Sequence, residues 1–190
     1  MRNETHGGVL LLTYSASELP LGLKCQILSF LRITWPEGFM GENRLRDWIS
    51  RGDAQHILLV ENGILISHTE VKWKYLDHAG VTYNVYGLSA VLTYPAFRGQ
   101  GYGRQVVAAG TAFIEATDAD IGMFHCAPSL KDFYSACGWI PMEHTKTLVG
   151  DTDCPEVSDE LMMMQFFSSK GKRGRASFER DPVYFGEDTW

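Results

Sequence analysis

Arg98-Gly99-Gln100-Gly101-Tyr102-Gly103 is the stretch on which the reading of this 190-residue chain turns. A strand-like run, Val85 to Thr93, precedes it and is broken by Pro95; a helix-like run, Gln105 to Glu115, follows. Glycines at 99, 101 and 103 let the main chain approach a ligand closely, because no Cβ stands in the way. They also leave the first N–H groups of the helix without side-chain caps, and such a helix start attracts anions, phosphate above all. Arg98 and Arg104 flank it with positive charge suited to phosphate oxygens. The stretch reads as a pyrophosphate cradle, with a plain glycine-rich strand-to-helix turn as the alternative. No Gly-Lys-Ser/Thr follows, so it is not a Walker loop, and the third glycine of a dinucleotide fingerprint is missing.

Outward from the loop, the rest of the chain falls into short elements. Gly8 to Tyr14 reads as a buried strand, and Leu19 to Trp35 as a helix that Ser17 would cap, with Leu23, Ile27, Phe30 and Leu31 on one face. A loop over residues 36–42 leads to a short helix from Asn43 to Ser50. Gln55 to Glu61 and Ile64 to Lys74 are two strands joined by Asn62-Gly63, a strong hairpin signal. A turn at Asp77 to Gly80 opens the strand Val81 to Thr93. After the loop and its helix come a buried strand (Ala119 to Cys126), a helix (Ser129 to Cys137), a strand from Trp139 and a polar loop over residues 150–158. A Met-rich strand, Glu160 to Phe167, reads as flexible core filling. The segment 168–190 reads as irregular, and its basic run, Lys170, Lys172, Arg173 and Arg175, as a solvated loop. Strands first and helix–strand alternation afterwards suit one α+β domain over residues 1–190.

Composition bounds the rest. The apolar fraction of 45% and charged fraction of 21% suit a soluble globular domain. No apolar run approaches a membrane span, and residues 1–6 have no secretory apolar core, so a cytoplasmic protein without membrane contact is expected. Cys25, Cys126, Cys137 and Cys154 show no paired metal spacing and read as reduced thiols, with no metal site. Cys126 and Cys137 lie in apolar contexts and read as core. A net charge of -6 argues against nucleic acid and fits a cationic partner, or serves solubility alone.

The loop, set between an apolar strand and an apolar helix, resembles the acetyl-CoA loop of the GCN5-related N-acetyltransferases (GNAT). Downstream, Phe133-Tyr134-Ser135-Ala136-Cys137-Gly138-Trp139 resembles that family's second signature, at the right order and spacing. The resemblance implies a single mixed, mostly antiparallel sheet flanked by helices, whose central parallel strands, here Val85–Thr93 and Ala119–Cys126, splay to admit the cofactor. It puts acetyl-CoA on Val91, Leu92, Thr93 and the loop Arg98, Gly99, Gln100, Gly101, Tyr102, Gly103 and Arg104. A main-chain N–H near Leu92 would hold the oxyanion, Tyr134 would protonate the departing thiolate, and a homodimer would be in keeping.

Within that family, Asp47-Trp48, the hairpin Asn62 to His68 and Arg98-Gly99-Gln100 are similar to the aminoglycoside 2'-N-acetyltransferases, as is the ending Asp188-Thr189-Trp190. That likeness implies a pocket for a small-molecule amine built from Glu42, Asp47, Ser89, Ala90, His125, Asp188 and Trp190 with its carboxylate, which would hold a polycation. Each acid also reads as a surface charge, Asp47 beside Arg44 or Arg51, and Trp190 as plain packing. Ser89 departs from the pattern, standing where those enzymes place the glutamate base. A serine holds a water but cannot take the amine proton, so His125 is the substitute base, with His68 and Glu70 further candidates and a packed strand-end histidine the alternative for His125. Three functions remain open: acetyl transfer to an amino sugar or polyamine, acetyl transfer to a peptide or other amine, and acyl-CoA binding without turnover.

Overall fold

The structure, a computed structural model, describes residues 5–6, 8–47, 54–187 and 190. Trp48 and Asp188 lie outside them, as does the end of the helix expected to reach Ser50. The strands are β1 (Thr5–His6), β2 (Val9–Ser15), β3 (Gln55–Glu61), β4 (Ile64–His78), β5 (Val81–Thr93), β6 (Ile121–Cys126), β7 (Ile140–Pro141), β8 (Thr147–Val149), β9 (Glu156–Val157), β10 (Leu161–Phe166) and β11 (Val183–Gly186). The helices are α1 (Leu21–Thr34), α2 (Tyr102–Glu115), α3 (Lys131–Ser135) and α4 (Ser169–Arg180). The architecture is α+β with a mixed sheet, and the chain divides into two compact units, Met1–Val71 with Ser89–Gly110 and Lys72–Leu88 with Thr111–Trp190.

In the first unit β1, β2, β3 and the first half of β4 are successive antiparallel neighbours, with the end of β5 beside β4. The β3–β4 turn puts Asn62 at φ 50 and Gly63 at φ 79, both left-handed, the geometry that matches strand twist. β3 is buried on both faces, which is why it reads as a continuous apolar run. Leu23, Ile27 and Leu31 of α1 pack on Leu58, Val60, Leu65 and Leu92. On the opposite face Leu59 and Ile66 pack on Val9 and on Val106 of α2. Ser17 does not cap α1: the N-cap is Pro20, with no side-chain cap bond, and Ser17 Oγ instead meets Ser15 Oγ at 3.2 Å. The helix expected from Asn43 is a 3₁₀ turn over Gly41–Leu45.

In the second unit β5 runs parallel to β6, paired at Val85–Ile121 and Tyr86–Gly122. β6 is antiparallel to β10, and β10 to β7. A smaller sheet joins β11, parallel, to β8 and β8, antiparallel, to β9. Tyr83, Val85, Ile121, Met123, Met162, Met164, Phe178 and Phe185 form the core, so the methionines are indeed filling. Cys126 is buried, whereas Cys137, expected in the core, is only half-buried.

The segment 168–190 is not irregular. Ser168 caps α4, its Oγ accepting from the Gly171 N–H at 3.0 Å, and β11 follows the helix. The basic run is therefore helical, and Lys170 pairs with Asp120. Two glycines in a short polar run argue against a helix on propensity alone. Here they permit contact: a Cβ at Gly171 would overlap the Asp120 carbonyl, and one at Gly174 the Tyr83 hydroxyl. Among the described residues no helix is long and apolar enough to cross a membrane, and no group of three or more His, Cys, Asp or Glu is placed to hold a metal.

Candidate functional site

The glycine loop lies in the first unit. Gly99 and Gly101 have φ of 77° and 85°, and the space where their Cβ atoms would sit is open. The Gln105 N–H donates to the Gly101 carbonyl at 3.1 Å, closing the first turn of α2. The N–H groups of residues 102–104 come before that bond and have no partner within the helix. An anionic pyrophosphate fits this arrangement of open main chain, helix start and flanking Arg98 and Arg104. Arg98 does more than supply charge: its Nε donates to the Thr93 carbonyl at 3.0 Å and ties the loop to the end of β5.

That end of β5 is irregular. Ala90 sits at φ 47, a left-handed conformation that costs a non-glycine residue about 1–2 kcal/mol. Three consecutive side chains of β4 hold the carbonyls around it. Ser67 Oγ donates to Leu92 O at 2.8 Å, His68 Nδ1 lies 3.1 Å from Ala90 O, and Thr69 Oγ1 donates to Ser89 O at 3.2 Å. Leu92 turns its side chain into the α1 core. What Val91, Leu92 and Thr93 can offer a ligand is therefore chiefly main chain.

Behind Ala90 stands a buried pair that the sequence reading missed in part. His56 Nδ1 lies 3.1 Å from His68 Nε2, and Glu70 Oε2 lies 3.8 Å from His56 Nδ1. Burial drives His68 down to about 3, with His56 adding to the effect. Burial also lowers His56, with Lys24 pushing the same way and Glu70 opposing. The β3–β4 register creates this grouping. A two-residue turn that starts from Glu61 opposite Ile64 would set His56 against Thr69, on the other face from His68. An irregularity at Leu59/Val60 shifts the pairing by one residue, giving His56 opposite Glu70 and Leu58 opposite His68.

Of the acids expected at an acceptor site, Glu42 sits exposed in the 3₁₀ turn and Asp47 follows it. Asp47 forms an ion pair with Lys24 of α1 at 3.3 Å, and Arg51, one of the two arginines expected beside it, lies outside the described residues. Arg44 donates to the Gly41 carbonyl. The same stretch exposes three large apolar side chains, Trp35, Met40 and Leu45, among its charged ones.

Tyr134, His125 and Trp190 belong to the second unit. The Tyr134 ring is packed edge-on by Phe124 and Phe133, and burial pushes its hydroxyl well above the ordinary phenol value, so it keeps its proton at neutral pH. His125 stands near the end of β6 with its ring edge-on to Phe185 at 4.6 Å. Neither of its ring nitrogens has a partner among the described residues. Burial, with Lys74 adding to it, lowers it to about 4. A base held that low takes an amine's proton poorly, which weighs toward a neutral, packed histidine. The His125 N–H donates to the main-chain oxygen of Trp190 at 2.9 Å, and Trp190 Nε1 donates to Met123 O at 3.0 Å. Past Gly122, β6 thus turns its main chain to Trp190, the splay expected of these strands. Gly87 of β5 makes room, since a Cβ there would overlap the Trp190 indole and Met123 O. Trp190 reads as seated in the sheet, and nothing in the sequence marked Gly87.

A profile of the acetyltransferase (GNAT) family matches residues 24–139. Among solved structures, an acyl-CoA N-acyltransferase from Pseudomonas aeruginosa is 18% identical, with a TM-score of 0.58 over 83% of this chain and 99% of that one. ElaA from Escherichia coli is 20% identical, with a TM-score of 0.59 over 82% and 98%. The GNAT family N-acetyltransferase YhbS from Escherichia coli, in complex with CoA, is 14% identical, with a TM-score of 0.59 over 97% and 93%. No curated protein sequence matches the chain. At these identities the structural likeness speaks for the fold.

Proposed function

The chain belongs to the acetyltransferase (GNAT) family, and from that premise we propose that it transfers the acetyl group of acetyl-CoA to a primary amine of a small cationic acceptor, by direct attack with both reactants bound. The observation that carries this reading is the run 89–104: a strand turned left-handed at Ala90, then a glycine loop open at Gly99 and Gly101, then the start of α2. Acetyl-CoA supplies an activated thioester. The helix start with Arg98 and Arg104 binds its pyrophosphate. The main chain of Val91, Leu92 and Thr93 orients the acyl arm, and an N–H near Leu92 meets the charge that develops on the carbonyl oxygen. Tyr134, which keeps its proton at neutral pH, donates it to the departing thiolate. The amine must be neutral to attack. Ser89 holds a water that passes the amine's proton out to solvent, and His125 in its neutral form serves as a hydrogen-bond acceptor more readily than as the base.

In its narrower form the acceptor is an aminoglycoside bearing a free 2'-amine, held by Glu42, Asp47, Ala90, Asp188 and Trp190. The sequence motifs and the exposure of Glu42 support it. A second reading takes an amine on an apolar body or a peptide, and the exposed Trp35, Met40 and Leu45 around Glu42 favour that one. A thiol-release assay with acetyl-CoA separates them, run against aminoglycosides with and without a free 2'-amine and against arylalkylamines and short peptides. Turnover confined to the 2'-amine compounds supports the narrow form, and turnover of the apolar amines or peptides replaces it with the second. Acetyl-CoA binding by calorimetry without turnover on any amine overturns the transferase reading in favour of an acyl-CoA-binding protein.

A further inference from the structure

The buried histidines of β3 and β4 have an order that can be assigned atom by atom. The Ala90 carbonyl only accepts, so the His68 nitrogen 3.1 Å from it, Nδ1, carries the hydrogen. Held neutral by burial, His68 then presents a lone pair at Nε2. His56 Nδ1, 3.1 Å away, must carry the hydrogen that fills it. The chain of donation runs one way, from His56 Nδ1–H to His68 Nε2 and from His68 Nδ1–H to Ala90 O. Its end point is the one left-handed residue in β5. Around the pair stand Glu70 on β4, which faces His56 across the ladder, and Lys24 on α1, itself paired with Asp47. A fully buried histidine is costly to keep unless its hydrogen bonds are made.

We propose that His68 is a positioning residue for acyl transfer: its Nδ1–H clamps the Ala90 carbonyl and so sets the main chain of Val91, Leu92 and Thr93 in the direction that receives the acyl donor. This rests on the reading of those residues as the acetyl-CoA strand. His68 touches neither reactant and acts through Ala90.

Three variants test it. His68→Asn keeps a donor near the Nδ1 position and loses the contact with His56. His68→Gln keeps a group near the Nε2 position and loses the donor to Ala90. His68→Leu removes both. Acetyl-CoA affinity by calorimetry and the KM for acetyl-CoA, with kcat measured in parallel on an amine that the wild type turns over, are the readouts. Affinity near wild type in His68→Asn is the expected result. His68→Gln and His68→Leu are expected to weaken acetyl-CoA by about tenfold, the scale of one lost buried hydrogen bond. Because Asn and Gln are alike in burial cost, the comparison stands even if His68→Leu does not fold. Equal affinity in the Asn and Gln variants overturns the positioning role while leaving acetyl-CoA binding intact. Failure of the wild type itself to bind acetyl-CoA overturns the acetyl-CoA reading, and this inference with it.

Discussion

Acidification from pH 7 to pH 5 should unfold this protein more readily than its carboxylates alone can explain. His68 is held at about 3 and His125 at about 4, against 6.5 for a histidine in the unfolded chain. The folded state refuses a proton that the unfolded state accepts. Above 6.5 neither state carries it, and the full stability is present; as the pH falls below 6.5 the unfolded chain gains protons and the native state loses ground until the folded values are reached. At pH 5 the unfolded histidine is more than nine-tenths protonated, so each of the two costs about 2 kcal/mol relative to pH 7, or about 4 kcal/mol together. His56, lowered as well, acts in the same direction. Glu160 has the opposite sign, because burial raises it and the native state gains slightly on acidification. Asp120, where burial is outweighed by Lys170, Ser168 and Asn84, and Asp181, held down by Arg180, lose their contributions only as the pH falls through 3.8 and below. Urea unfolding followed by far-ultraviolet circular dichroism at pH 7, 6 and 5 gives the slope, and His125→Gln should remove about 2 kcal/mol of the change. A stability change under about 1 kcal/mol across that range, or an unaltered slope in His125→Gln, would refute the reasoning.

Tyr134→Phe should lower kcat by about a hundredfold with acetyl-CoA affinity unchanged, and an unchanged kcat takes the hydroxyl out of the reaction. Gly101→Ala places a side chain at φ 85 and should weaken acetyl-CoA about tenfold by calorimetry, since the left-handed conformation then costs roughly 1–2 kcal/mol; equal affinity would mean that the loop does not hold the ligand. Gly87→Ala should cost about 1–3 kcal/mol in thermal or urea unfolding. Part of that penalty should disappear in a Trp190→Ala background, the rest coming from the Met123 carbonyl, and an equal penalty in both backgrounds would mean that the indole adds nothing to the clash at Gly87.

Much of the fold was legible because local signals and tertiary structure agree. β3 runs from Gln55 to Glu61 and β5 from Val81 to Thr93, as their apolar patterning and the Asn62-Gly63 turn dictate. The strand–loop–helix form around Gly99 and the helix that carries Tyr134 were legible because glycine spacing and an aromatic helix signature are short-range features. The His56–His68 pair was not, since a one-residue irregularity in β3–β4 pairing decides which face His56 takes, and no residue type announces it. The Lys24–Asp47 pair was not legible either, because a sequence displays near neighbours and Lys24 reaches Asp47 from α1. The burial of His125 against Phe185 was not legible, because enclosure is a property of the folded chain. Gly87 and the C-terminal helix were hidden for a related reason: glycine signals flexibility in sequence and proximity in a packed structure.

Helix α4 turns that last point into a warning for anyone optimising this chain. Replacing glycine with alanine inside a helix is a standard stabilising exchange, worth about 1 kcal/mol where the site is open. At 171 and 174 the same exchange should work in reverse, because each added methyl lands on an oxygen, the carbonyl of Asp120 in one case and the hydroxyl of Tyr83 in the other. Propensity scoring would rank both among the first positions to improve. What it would erase is the stand-off distance between helix and sheet, and with it the depth to which Phe178 reaches into the core.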